Sequence, residues 1–200
     1  MSTYLTPPLG DRDHVLGPAD APASLVEYGD FECPYCGIAY PIVALILQRM
    51  GDSIRFSYRH FPLTQLHPHA QHAAEMAEAA GSRGKFWAMH NMLFQNQDAL
   101  EDENLISYAA QLGIQPDWAA DVLETHSFAP RVREDFMSGV RSGVNGTPTF
   151  FINGVRHDGP GDEPALLEAL QSEAVKSHES GVACAAVSDG CRLSRGAFPY

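Results

Sequence analysis

Apolar residues change period along this chain, and the changes mark its elements. Ser24 to Tyr28 (Ser-Leu-Val-Glu-Tyr) is a short run of strand formers that ends at Gly29-Asp30. From Cys33 the period becomes helical, with Ile38, Ile42, Leu45 and Ile46 on one face and Gly51 as a stop. Ile54 to His60 then alternates apolar and polar residues, which predicts a second strand. Strand, helix, strand in this order is the parallel unit of an α/β sheet.

Beyond Pro62 the helical period persists for a long stretch. His72 to Ala80 is alanine-rich and closed by Gly81. Phe86, Met89 and Leu93 share a face, as do Leu105, Tyr108, Ala109 and Leu112 before Gly113. Pro116 suits a first helical turn, and Val132, Phe136 and Val140 mark one more helix. Strand character returns at Thr147 to Ile152, followed by the hairpin signal Asn153-Gly154. A last helix runs from about Glu163 to Lys176, and residues 177–200 lose periodicity and read as a loosely ordered tail. The order is therefore β-α-β, a helical block at about 64–142, then β-β-α, within one α/β domain over 13–176.

Composition narrows the function. The net charge of −12 excludes a general nucleic-acid binder, which needs clustered Lys and Arg. The longest apolar stretch, Ile42 to Leu47, is far short of the about 20 residues that span a bilayer, so no membrane partner is expected. Met1 to Asp13 has no basic start followed by an apolar run, so it does not read as a signal peptide. The expected compartment is the cytoplasm. Four cysteines are too few for a disulfide scaffold in 200 residues, which makes a Cys-x-x-Cys either reactive or metal-binding.

That motif is Cys33-Pro34-Tyr35-Cys36, placed where a strand gives way to a helix. The first N–H groups of a helix are unpaired and its dipole is positive there, so a thiolate at Cys33 is stabilised and its pKa falls. Pro34 fits because the first turn has no use for its missing N–H. Cys33 is then the exposed reacting sulfur, and Cys36, set into the helix, is the resolving one. Half a zinc site looks the same. It would need two further ligands, His67 with His69 or Cys184 with Cys191, and neither pair has a typical knuckle spacing.

Gly143 to Gly154 carries a second signal, a proline opening an apolar strand. A cis Thr147-Pro148 bond would account for it and would offer backbone groups to a bound peptide. The alternative is that Pro148 starts an edge strand in trans.

Tyr28 to Cys36 (Tyr-Gly-Asp-Phe-Glu-Cys-Pro-Tyr-Cys), Arg59-His60-Phe61-Pro62-Leu63 and Gly146 to Asn153-Gly154 together resemble the DsbA-like thioredoxin-fold disulfide oxidoreductases, in particular the bacterial branch without an export signal. The likeness runs in order from about Val15 to Lys176. It implies a thioredoxin-like fold with a helical insertion between its halves, cysteines that exchange disulfides with protein thiols, and a cis-proline loop facing them. By position the cis-proline is Pro148, preceded by Thr147, and a buried acid six residues before the first cysteine is Glu27. In an apolar strand Glu27 would be desolvated, its pKa raised, and so able to shuttle a proton for Cys36. The other reading puts it on a solvated face.

The expected activity is thus protein thiol–disulfide exchange, without a bound cofactor or metal. Pro34, Tyr35 and Thr147 meet the protein substrate, and a separate electron donor or acceptor completes the cycle. The rivals are a non-catalytic redox sensor and a zinc-binding module using the same cysteines. Cys184 and Cys191 are either a second redox pair or incidental thiols. His60, His67, His69, His72 and His90 read as surface or packing residues, and Phe86, Trp87 and Phe94 as the core of the insertion.

Overall fold

A computed structural model of the chain describes residues 3–190, with side chains as far as Ser177. Two strands form its centre. β1 (Val15–Leu16) precedes β2 (Ala23–Gly29), and β2 pairs in parallel with β3 (Ile54–His60), from Ala23 opposite Ile54 to Gly29 opposite His60. A parallel pair needs a crossover, supplied here by α1 (Pro34–Met50). On the other side of β2, β4 (Thr149–Ile152) runs antiparallel and continues into β5 (Val155–Arg156). Asn153 and Gly154 turn that hairpin with φ of 47° and 78°, a left-handed pair that Asn-Gly adopts easily. The strand order is β1-β3-β2-β4-β5.

Between β3 and β4 lie five helices: α2 (Ala70–Gly81), α3 (Phe86–Gln95), α4 (Asp102–Gln111), α5 (Pro116–Thr125) and α6 (Ala129–Arg141). This is the helical insertion that the sequence pattern predicts. Its apolar residues do not form a separate core. Met76, Phe86, Leu93 and Leu105 join Leu25, Cys36, Val43, Ile46 and Phe56 in one buried cluster. The insertion and the sheet therefore share one core, as α2, lined by small alanines, lies close to its neighbours.

Several details depart from the sequence pattern. The buried stripe of α1 is Cys36, Ala39, Val43 and Ile46, while Ile38 is 62% exposed. The sheet is met by the face that carries Cys36, so the stripe is rotated from the one through Ile38. In α6 the buried residues are Val132, Asp135, Ser138 and Gly139, and Val140 is exposed. That face covers polar groups of the sheet: Ser138 Oγ lies 2.7 Å from the Tyr28 hydroxyl, and Asp135 accepts the His60 N–H. Ser57, Arg59 and His60 of β3 are likewise buried. β1, two residues long, is too short to show a period. The final helix, α7 (Glu163–Gly190), does not end at Lys176. A loose tail from residue 177 is thereby corrected for 177–190: no proline interrupts the stretch, and extending a formed helix gains a hydrogen bond for each residue fixed.

The segment before β1 also packs on the sheet. Tyr4 bridges to Val155, Leu5 N–H donates to the Gly154 carbonyl, and Leu5 is buried. Arg59, fully buried on β3, binds Asp13 at 2.7 and 3.0 Å, the Pro7 and Pro8 carbonyls and the Tyr28 hydroxyl. Removing one partner of a buried ion pair strands the other charge. Arg59→Leu is therefore expected to cost about 3–5 kcal/mol, read as a lower urea midpoint at unchanged slope.

Candidate active site

The turn Asp30 to Cys33 joins β2 to α1 and sets the two cysteines. Cys33 is the N-cap of α1, with extended φ and ψ of −72° and 122°, and Pro34 follows in the first turn. Cys33 N–H donates to the Asp30 carbonyl, and Gly37 N–H to the Cys33 carbonyl. Three side-chain anchors hold this turn. Asp30, buried, accepts the N–H groups of Glu32 and Leu63, each at 2.8 Å, and meets His67 Nδ1 at 2.7 Å. Glu32 accepts His69 N–H at 2.7 Å. Gln97, from the loop between α3 and α4, donates its amide to the Phe31 and Cys33 carbonyls at 2.7 and 3.1 Å. Its carboxamide rests against Gly37, where any Cβ would collide with it.

Both cysteines are free thiols. Cys36 is wholly buried and Cys33 is 3% exposed, so the expectation of an exposed Cys33 is corrected. The fold brings the Thr147 carbonyl to 3.4 Å from its sulfur, where it accepts the S–H of the protonated thiol. Position at the helix start holds, but openness to water does not.

The two sulfurs differ sharply in acidity. Cys33 is pulled from 9.0 down to about 5, first by the Cys36 thiol that donates to it; burial opposes this, and the Thr147 side chain and the N–H groups of Cys36 and Tyr35 add to it. The helix start thus contributes, but the neighbouring thiol contributes most. Cys36 is pushed far up by burial, by that same hydrogen bond and by the negative charges of Glu27 and Cys33.

Glu27 lies on β2 opposite Tyr58 of β3 and Phe150 of β4, and is 3% exposed, so the solvated-face reading fails. Burial first, and then the Cys33 charge, raise its pKa from 4.5 to about 8. Its Oε1 has no partner among the protein groups. Cys33, Cys36 and Glu27 therefore form one coupled acid cluster at the head of α1.

The Thr147–Pro148 peptide is cis. Thr147 and Pro148 line a groove of about 440 Å³ together with Tyr35, Ile38, Ile42 and Phe150. Tyr35 is 70% exposed, which with Ile38 explains the rotated stripe of α1: these apolar residues face the groove, not the core. Gln97 and His67 are site residues that no sequence motif announces, and Asp30, though inside the stretch from Tyr28 to Cys36, shows its anchoring role only in the fold. Cys184 falls on the backbone of α7 and Cys191 outside the described residues, so their pairing lies beyond what is described. Among the described residues, the cluster of three metal-ligating groups is His60, Glu78 and Asp135, away from both cysteines.

Known proteins resemble this chain in two ways. A family profile described as Thioredoxin matches residues 10–172. A Salinispora tropica protein named Na(+)/H(+) antiporter NhaA 3 is 48% identical over 162 residues, 81% of this chain and 25% of that protein. The chain spans about a quarter of the length of the curated relatives it matches. Among solved structures, BdbD from Bacillus subtilis has a TM-score of 0.74 at 24% identity, covering 82% of this chain and 93% of that one. MdbA from Corynebacterium diphtheriae, described as a thiol-disulfide oxidoreductase, has a TM-score of 0.64 at 17% identity, with coverage of 82% and 91%. These two share the fold.

The opposed shifts give opposed pH dependences of stability. The Cys33 contribution is full above pH 9.0 and is lost as pH falls to about 5. Ionising Glu27 costs stability as pH rises from 4.5 through about 8. Urea unfolding of the reduced protein across pH should show Glu27→Gln gaining on wild type above pH 8 and Cys33→Ser losing the alkaline gain.

Proposed function

As the chain belongs to the thioredoxin family, we propose that it is a protein thiol–disulfide oxidoreductase acting through Cys33 and Cys36. The observation that carries this reading is the division of labour between the sulfurs: Cys33 ionises near pH 5 at a helix start, while Cys36 beside it stays protonated over Glu27. One group attacks and the other holds back until needed.

In the reduced protein the Cys33 thiolate attacks a substrate disulfide, forming a Cys33–substrate disulfide and releasing one substrate thiolate. Formation of that disulfide removes the Cys33 charge that helps keep Glu27 protonated, so Glu27 sheds its proton. Its carboxylate then takes the Cys36 proton as Cys36 attacks the Cys33 sulfur, closing Cys33–Cys36 and freeing the second substrate thiolate, which water protonates. The dithiol loses two electrons and the substrate disulfide gains them. The reverse sequence oxidises a substrate dithiol. A stabilised Cys33 thiolate favours the reduced state and makes the disulfide more oxidising.

The groove supports a protein substrate. Tyr35, Ile38, Pro148 and Phe150 give it an apolar wall, and Arg156 with Asp158, 3.0 Å apart, a polar one. Such a groove takes a flexible segment by its apolar side chains while the Thr147 backbone lies beside the sulfur. The fold it shares with the Corynebacterium diphtheriae oxidoreductase points the same way. Transport, named for the longer relatives, is no part of this reading: the match covers a quarter of them, and no helix of the described residues is long and apolar enough to cross a membrane.

Wild type should reduce insulin with dithiothreitol as electron donor and refold a scrambled protein. Cys33→Ala should abolish both, and Cys36→Ala should accumulate the mixed disulfide. Absence of turnover in wild type would favour a redox sensor. Near-stoichiometric zinc in anaerobically purified protein would favour a metal-binding module.

A further inference from the structure

Cys36 and Glu27 are both buried, yet the exchange moves a proton out of their pocket on every cycle. A path to water is therefore a chemical requirement, and a row of buried polar atoms leads away from them. Glu27 faces Tyr58 across β2 and β3, and Gly29 faces His60 two residues on, so Glu27, Tyr58 and His60 share one face of the sheet. The Tyr58 hydroxyl reaches along that face over Gly29, where a Cβ would lie only 2.7 Å from it. Glycine at position 29 thus keeps the lane open between the Glu27 row and the His60 row. The Tyr58 and His60 rings are 5.6 Å apart.

Three atoms in this row lack a partner among the protein groups although they are buried: Glu27 Oε1, the Tyr58 hydroxyl and His60 Nδ1. Buried polar atoms are nearly always satisfied, by water where protein does not reach. The other nitrogen of His60 continues the line. His60 Nε2 meets Glu78 Oε1 at 3.0 Å, and Glu78 Oε2 meets His14 Nε2 at 3.0 Å. The His14 side chain is 25% exposed. His90 also borders Tyr58, with rings 4.9 Å apart, but its Nδ1 ends on the Asn91 carboxamide, which does not carry protons onward.

Resting on the oxidoreductase reading, we propose that Tyr58, His60, Glu78 and His14 form the proton route between the buried Cys36–Glu27 pair and solvent, with water joining the Glu27, Tyr58 and His60 atoms. Once the mixed disulfide has removed the Cys33 charge, Glu27 gives up its own proton, and the resulting carboxylate takes the Cys36 proton as the Cys36 S–H bond breaks and Cys36 attacks Cys33. The Glu27 proton leaves before that attack through the Tyr58 hydroxyl, which accepts one proton and gives up another, to His60. The Glu78 carboxylate holds both histidines, one oxygen each, so the proton shifts across it to His14 and into water. The charged and titratable groups facing the route are Cys33, Cys36 and Asp30 around Tyr58, His90 and Asp135 around His60, and Arg131 beside Glu78. Tyr58, His60, Glu78 and His14 are positioning and relay residues, not reacting groups.

Two conservative variants test the route. Tyr58→Phe removes the hydroxyl and keeps the ring stacked on Phe31, and His14→Phe keeps the stack on Phe86. The readout is stopped-flow release of nitrothiobenzoate from its mixed disulfide with Cys33, in dilute buffer, beside the pH midpoint of Cys33 alkylation. Both variants should release at least about tenfold more slowly with the alkylation midpoint unmoved. Imidazole should restore His14→Phe, whose defect lies at the surface, and leave Tyr58→Phe slow. Wild-type release rates in both variants would overturn the route while leaving the oxidoreductase reading intact, and so would slow release with a shifted alkylation midpoint. Failure of wild type to release the thiol would overturn the oxidoreductase reading itself.

Discussion

A single negative charge, kept on one sulfur in a place almost without water, is the constraint that the rest of this structure serves. Burial alone would push the Cys33 thiol up, as it does Cys36. The charge is held because donors converge on it: the Cys36 thiol and the free N–H groups at the start of α1. The same charge helps keep Glu27 protonated near neutrality. The pocket therefore contains an anion and two acids rather than several anions, and a proton can move within it without a second charge being buried.

Such an arrangement tolerates little movement, which explains why three separate parts of the chain grip one turn. Asp30 ties it to the loop after β3 through Leu63 and His67, and Glu32 ties it to His69 at the head of α2. Gln97 reaches it from the loop between α3 and α4, midway through the insertion. The helical block is thus part of the active-site scaffold, and its shared core with the sheet carries that grip. The exposed outer side of α1 is left to Tyr35 and Ile38, whose apolar surface borders the groove.

The opposite face of the sheet solves a different problem. There Arg59 and Asp135 are buried with partners from the N-terminal segment and from α6. Buried charges cost free energy unless they are paired, so this side specifies how the segment before β1 and the last helix of the insertion must lie.

Much of this was legible along the chain. The strand, helix and hairpin order, the insertion and the junction carrying Cys33 and Cys36 follow from local period, from Gly and Pro punctuation and from Asn153-Gly154, because those preferences act between near neighbours. The Cys-x-x-Cys motif marked the two cysteines, the proline opening an apolar strand marked Pro148, and Glu27 came from the family resemblance. Contacts between residues far apart in sequence were not legible. Gln97 and His67 sit in no motif, the buried face of α1 is chosen by the sheet it meets, and Arg59 reads as a solvated position until the N-terminal segment covers it. Burial of Cys33 and the ranking of the causes that make it acidic also depend on where Thr147 arrives from the other half of the chain. Sequence determined which chemistry the chain can carry; only the packing of distant segments decided how much water that chemistry meets, since desolvation is a property of everything that surrounds a group and not of the group itself.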